Sequence, residues 1–365
     1  DVAAAAAAAA LKDLSGHIGS VPATKDGYAL GAEKFAAMVS KTEGVNVSLD
    51  ELEAIGQADL KRNQAALAKA CGIFAPGASI VDCFAKMAAN KPEKGPVQEA
   101  RDQLPPLRQF IIDKDLVSIP GTEVAQVEES PPYNRQNSAY IDIPGPYETG
   151  LPSVYYISPP DPSWDEATRA AYIPGKMDLL GTSIHEVWPG HFLNFLHANR
   201  AKSIFGKLFV GYAFAEGWAH YTEEVMVEAG LHDGDAETRI GQLSNALLRN
   251  CRYLSAIGLH ARGMTVEQSL DMFQKQCYQD LGNATQQAAR GTYDPAYLNY
   301  TMGKLMIRKL REDWTNANFA EQKASENGAT AGWKEFHDEF LSYGGPPIPM
   351  VRKAMMKEAE AKAVF

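Results

Sequence analysis

The side chains with the clearest chemical pattern lie between His185 and His191. This segment reads His-Glu-Val-Trp-Pro-Gly-His, so Glu186 directly follows the first of two closely spaced histidines. Two imidazoles close together in one segment can bind Zn²⁺, and a Glu beside the first can act as general base at the open coordination position. The segment therefore indicates metal-assisted hydrolysis.

The spacing of these histidines departs from that of a regular zinc-binding helix. Ligands at i and i+4 lie about 40° apart around a helix, whereas residues at i and i+6 lie about 240° apart. Pro189 cannot donate to the carbonyl of His185, and Gly190 adds backbone freedom. We predict a helical bulge at residues 186–190 that brings His191 toward His185. The alternative is that Pro189 and Gly190 end the helix and the histidines are unrelated.

A second segment, Phe-Ala-Glu-Gly-Trp-Ala-His-Tyr-Thr-Glu, offers a third ligand, Glu216. A His₂Glu site takes its carboxylate from a second helix packed against the first, and Gly217 permits close approach. His220 and Glu223 share the helical face of Glu216. Because an unpaired polar stripe is costly to bury, we expect Glu223 and His220 to lie behind the metal ligands. A solvated face on a surface helix is the alternative.

The two motifs resemble a bacterial family catalogued as domain of unknown function 885, whose members carry HExxPGH followed by EGWAxYxE. The resemblance implies a gluzincin-like zinc metallopeptidase with a zincin-like architecture. It implies His185, His191 and Glu216 as Zn²⁺ ligands and Glu186 as general base. The sequence departs from the family pattern at His220, where family members usually carry an apolar residue. Family members are usually longer at the N-terminus, so helices that wall the cleft are expected to be missing.

The resemblance extends over nearly the whole chain from about residue 20, and its later segments contain further candidates. Matching stretches begin at Tyr28, Arg252, Asn299 and Phe340. Tyr300, His260 and Arg252 are candidate donors to the oxyanion of peptide hydrolysis. The alternatives are a core tyrosine, a buried hydrogen-bonded histidine and a structural ion pair. His197 fits as a ligand only by breaking the family match, and surface positions are expected for His17, His232 and His337.

The elements that must position these residues are mostly helical. Helical patterns cover 49–70, 79–89, 96–113, 164–172, 177–198, 211–229, 235–262, 266–280, 294–316, 331–343 and 349–363. Segments 123–128, 138–143 and 153–157 predict a small antiparallel sheet. A peptide substrate could add as a strand along 153–157, and a core hairpin is the alternative. We expect an Ala-rich linker of uncertain identity at 1–15 and one domain over 16–365.

Composition limits the classes of partner and compartment. The 365 residues carry a formal net charge of −10. This balance argues against nucleic acid as a partner, and no stretch approaches the roughly 18 apolar residues of a membrane span. The four cysteines are either buried thiols or two local disulfides, Cys71–Cys83 and Cys251–Cys277, of which we expect the first more strongly. Disulfides would indicate a periplasmic or exported protein, with lipid anchoring also open.

The sequence thus predicts a zinc-dependent peptidase acting on a peptide substrate. Another metal-assisted amide or ester hydrolysis is the closest alternative. A secreted or lipid-anchored binding protein with an inactive site is the alternative from a different class. Glu186 favours an enzyme, because a binding protein needs no general base beside a ligand. Nothing in the sequence gives the substrate, the exo or endo mode, or the oligomeric state.

Overall fold

Helices make up most of the chain in the computed structural model, which describes residues 2–22, 27–325 and 328–365. Before the sheet lie α1 (Val2–Ser20), α2 (Ala32–Glu43), α3 (Leu49–Phe74), α4 (Ile80–Ala89) and α5 (Pro96–Asp113). After the sheet follow α6 (Glu166–Tyr172), α7 (Lys176–Glu186), α8 (His191–Ala198), α9 (Ile204–Leu208), α10 (Tyr212–Glu228), α11 (Ala236–Ala261) and α12 (Val266–Lys275). The last helices are α13 (Leu281–Tyr293), α14 (Asn299–Asn318), α15 (Ala320–Lys323), α16 (Trp333–Ser342) and α17 (Ile348–Met356).

Local signals account for where many of these helices begin. The side chain of Ser48 accepts a hydrogen bond from the Glu51 amide at the start of α3, and Thr265 forms a capping box with Gln268 at the start of α12. Helix α5 continues through its two internal prolines, both of which are exposed. The N-terminal helix α1 is exposed along its whole length and adds nothing to the core.

The sheet has three strands, β1 (Ala125–Glu129), β2 (Ala139–Asp142) and β3 (Ser153–Ile157), in the order β1-β3-β2. The expectation of an antiparallel sheet is wrong for one of the two pairings: β1 runs parallel to β3, and only β2 is antiparallel to it. Strand β3 is the most buried of the three, which suits the central position. It therefore has no free edge for a peptide within this sheet, and the edge strands are β1 and β2.

The core lies where α11 packs against α3 and α7 and where α10 packs against α14. The second of these crossings is close enough to need glycine on both helices. A Cβ atom on Gly217 would lie 2.5 Å from the Cα atom of Gly303, and one on Gly303 would lie 2.0 Å from the carbonyl oxygen of Ala213. Gly217 thus brings α10 against α14, and not against the helix that carries His185.

Both cysteine pairs form disulfides. Cys71–Cys83 joins α3 to α4, and Cys251–Cys277 joins α11 to the segment that follows α12. Among the residues that the structure describes, no helix is both long enough and apolar enough to cross a bilayer.

The glycine crossing gives a prediction about stability. Gly303→Ala should lower the free energy of unfolding by about 1–3 kcal/mol or more, because the new methyl group meets backbone atoms that cannot rotate away. Gly72→Ala is the matched control, since its Cβ atom meets nothing within 4 Å, and it should leave the protein as stable or slightly more so. Urea denaturation measures both. Equal stability of the two variants would contradict a close crossing.

Candidate metal centre

The turn between α7 and α8 brings the two histidines together. Helix α7 ends at Glu186, the Trp188–Pro189 peptide is cis, and α8 begins at His191. The predicted bulge within one helix is therefore wrong, because the chain breaks the helix and starts another. A Cβ atom on Gly190 would lie 1.8 Å from the carbonyl oxygen of His185, so this turn needs glycine. The imidazole rings of His185 and His191 nevertheless lie 4.7 Å apart, centroid to centroid.

Glu216 on α10 completes a cluster of three metal-ligating side chains. Its Oε2 atom lies 3.2 Å from Nε2 of His185 and 3.1 Å from Nε2 of His191. Ligand atoms around a tetrahedral Zn²⁺ with bonds of about 2.1 Å are about 3.4 Å apart, so the observed spacing fits one such ion. Burial alone would raise the pKa of Glu216, but the two imidazoles beside it hold that pKa well below its ordinary value.

Glu223 lies behind the first histidine, as its position on α10 predicts. Its carboxylate contacts Nδ1 of His185 at 2.7 Å, Nδ1 of His220 at 3.2 Å and Nη2 of Arg249 at 3.3 Å. Burial would raise the pKa of Glu223, yet Arg249 together with the neighbouring histidines holds it far below its ordinary value. The charged carboxylate orients His185 so that Nε2 faces Glu216.

His220 is fully buried, so it is not a surface histidine, and it is not one of the three clustered ligands. Burial lowers its pKa to about 4, which leaves a neutral ring whose Nδ1–H can donate to Glu223. Its Nε2 atom has no hydrogen-bond partner among the described residues. His220 thus supports the carboxylate that supports His185.

A cavity of about 500 Å³ opens beside the three ligands, a size typical of a small-molecule site. Glu186 lines it together with all three ligands, and burial raises the pKa of the Glu186 carboxyl to about 7.

Residues 137–143, which include β2, line the cavity as well. Because β2 pairs only with β3 in the described sheet, its other edge is the one available for an extended chain.

Tyr300 and Arg252 lie at the cavity, as their place in the sequence predicts. The Tyr300 ring stacks on His185 with centroids 6.0 Å apart, and the Arg252 guanidinium lies 4.8 Å from the Tyr300 centroid. Nη2 of Arg290 donates to the Tyr300 hydroxyl at 3.3 Å. Two of the cavity arginines, Arg249 and Arg290, were not among the predicted site residues.

The other histidines do not lie at the cluster. His260 contacts the Gly291 carbonyl through Nε2 at 2.7 Å and stacks on Phe35, so the structure does not bring it into the cavity. His197 contacts the carbonyl oxygen of Ser118 and is no ligand. His337 is buried and contacts the Tyr221 hydroxyl, which makes its predicted surface position wrong. His17 and His232 are exposed, as predicted.

Fold and site together define a mainly helical protein in which an interrupted helix and a second helix present a candidate metal-binding His₂Glu cluster. The chain belongs to the DUF885 family of bacterial proteins of unknown function, whose model matches residues 1–355. No curated protein matches it.

Two solved structures are similar in fold. One is a candidate lipoprotein of unknown function from Shewanella oneidensis, with a TM-score of 0.78 and 24% identity over 95% of this chain and 63% of that one. The other is a candidate lipoprotein from Colwellia psychrerythraea, with a TM-score of 0.73 and 18% identity over 89% of this chain and 55% of that one. The chain thus spans less than two thirds of the length of either relative.

Metal affinity at this centre should depend on Glu223. Glu223→Gln should weaken Zn²⁺ binding about 10- to 100-fold, because a neutral amide orients His185 poorly and makes it less basic. Competition with a chromogenic chelator measures this affinity. Glu228→Gln is the matched control on the same helix, since Glu228 pairs with Arg311 away from the ligands. Unchanged affinity in Glu223→Gln, with the fold intact, would show that Glu223 does not support a metal ligand.

Proposed function

We propose that the protein is a zinc-dependent peptidase. The observation that carries this proposal is the spacing of the His185, His191 and Glu216 donor atoms, which suits one tetrahedral ion beside a cavity that Glu186 also lines. When bound at these three ligands, Zn²⁺ would polarise the scissile carbonyl and lower the pKa of a bound water. The remaining steps fall to side chains of the chain itself.

Glu186 is placed to move the proton. Its carboxylate accepts a proton from the attacking water and delivers it to the leaving nitrogen, so the peptide C–N bond breaks as a new C–O bond forms. None of the hydrogen bonds within the described part of the chain occupies this carboxylate, which leaves it free for a water. In this mechanism Tyr300, whose ring stacks on His185, donates from its hydroxyl to the oxyanion.

The cavity suits an extended peptide because β2 lies along it with an unpaired edge. Backbone hydrogen bonds to such an edge bind a chain in a fixed register and need no particular side chain. This arrangement favours a peptide over a small ester, the closest alternative substrate class. A non-enzymatic binding role would leave unexplained why a free carboxylate lies beside the ligands.

We also propose that the protein is exported, with lipid anchoring of the whole protein as an extension of that idea. Both disulfides support it, since such bonds persist in oxidising compartments. The two structural relatives are candidate lipoproteins, which supports the same compartment.

Two variants test the mechanism by separating the role of the general base, Glu186, from that of a metal ligand, Glu216. Glu186→Gln should retain Zn²⁺ and lose about 10²–10⁴-fold in peptide hydrolysis, because the amide cannot accept a proton. Glu216→Gln should lose Zn²⁺ together with activity, because it weakens a ligand. Metal content is measured by mass spectrometry, and hydrolysis by cleavage of a peptide library with and without chelator.

Two results would contradict the proposed function. One is hydrolysis at the parent rate by a zinc-loaded Glu186→Gln variant. The other is an intact, zinc-loaded parent protein that cleaves no member of the library. The second result would favour the binding-protein alternative.

A further inference from the structure

Three arginines line the cavity, and they differ in how their charges are balanced. Arg249 pairs with Glu223 at 3.3 Å, and Arg290 pairs with Asp294 at 2.8 Å. Arg252 has no such partner, since none of the ion pairs formed by residues 2–22, 27–325 and 328–365 includes it. Its Nε atom donates instead to the neutral side chain of Gln287 at 2.7 Å.

The surroundings of Arg252 raise the free-energy cost of a charge that has no counter-ion. The residue is only 8% exposed, and burial lowers the pKa of its guanidinium, as does the charge of Arg290. A buried cation is normally found with an anion, because desolvation is otherwise uncompensated. The contact with the Tyr300 ring offsets part of this cost but supplies no acceptor oxygen. The Arg252 site is thus suited to an anionic group that arrives with a ligand.

The position of Arg252 relative to the cluster limits what that ligand is. The Tyr300 ring contacts both His185 and Arg252. Its centroid is 6.0 Å from that of His185 and 4.8 Å from the Arg252 guanidinium. An extended residue advances the chain by about 3.3–3.6 Å. Because both groups contact one ring, Arg252 lies no more than a few extended residues from a carbonyl held at the cluster. A planar guanidinium suits a carboxylate, which it can bind through two parallel hydrogen bonds.

We propose that Arg252 binds the C-terminal carboxylate of the substrate, which makes the protein a carboxypeptidase-type enzyme that removes a short C-terminal piece. This inference rests on the proposed peptidase function and deepens it. Hydrolysis adds the elements of water across one C–N bond. The products are a shortened peptide with a new terminal carboxylate and a released amino acid or short peptide with a new amino group.

A carboxylate can also come from an Asp or Glu side chain within a longer peptide. The terminal group is favoured because Arg252 is nearly buried and lies in the same cavity as the ligands, which suits a chain that ends there. Two probes separate these sources. One is a short peptide without acidic side chains, with a free C-terminus. The other is the same peptide with a C-terminal amide and an Asp at its last position.

Binding to the metal-free protein tests the inference without any catalysis. Calorimetry should show that the peptide with a free C-terminus binds on the order of 10- to 100-fold tighter than its C-terminal amide, with or without the Asp. Arg252→Met should abolish this preference. Arg262→Met is the matched control, because Arg262 lies just after α11 and contacts Asp50 and Glu53 on the surface, and it should retain the preference. Equal binding of the free and amidated peptides would overturn the inference.

Thermal unfolding tests whether Arg252 has only a structural role. Because its charge has no buried partner, Arg252→Met should unfold at the same or a higher temperature than the parent. Arg249→Met should unfold at a lower temperature, since it leaves Glu223 without its cation. A large drop for Arg252→Met, with weaker binding of the amidated peptide as well, would show a structural role and overturn the inference. Arg252→Lys offers a second, more conservative variant that keeps the charge and should retain part of the preference.

Cleavage by the zinc-loaded protein distinguishes this inference from the proposed function. The inference predicts that amidation raises KM far more than it lowers kcat, and that Arg252→Met removes this difference. Internal cleavage of free and amidated peptides at equal rates would support the peptidase and overturn the carboxylate site. No cleavage, with the binding preference intact, would overturn the peptidase and retain the site. If Arg252→Met lost kcat equally on the free and the amidated peptide, Arg252 would instead stabilise the oxyanion, and the carboxylate site would be overturned.

Discussion

A single buried carboxylate, that of Glu223, holds the centre of this protein together. It is held as an anion by its contacts with His185 on α7, Arg249 on α11 and His220 on its own helix. Removing any one of them would leave charge or polarity buried without compensation. The relative positions of α7, α10 and α11 are therefore coupled through one side chain. The two histidines and Glu216 can converge because this coupling fixes the orientation of the His185 ring.

Around that carboxylate the cavity brings two sets of side chains together. The three candidate ligands and Glu186 form one set, and Arg252 and Arg290 form the other. Tyr300 touches both, through its stacking on His185 and its contact with Arg252. In the proposed mode of binding, a peptide whose scissile carbonyl meets the candidate ligands and whose terminal carboxylate meets Arg252 would be held at two points. Such a two-point attachment orients the bond to be broken without any demand on side-chain identity.

The candidate cluster could be predicted from sequence because His185, Glu186 and His191 are close along the chain and Glu216 and Glu223 share a helical face, and because both motifs resemble those of a known family. The predictions that were wrong concern features that depend on contacts between distant residues, which no local pattern encodes. A bulge and a break at Pro189 are equally compatible with the residues, and only the packing of Gly190 on the His185 carbonyl separates them. The position of β3 between β1 and β2 depends on strand pairing across the sheet. Helix α13, with few apolar residues, was missed, and Arg290 was missed with it.

The crossing of α10 and α14 has a consequence for how such a scaffold can change. At Gly217 and Gly303 the helices touch through main-chain atoms, which every amino acid shares. The spacing there does not depend on the size or shape of neighbouring side chains, so those neighbours are free to vary. A scaffold of this kind lends itself to redesign: new cavity-facing side chains could alter specificity while the helix spacing stays the same.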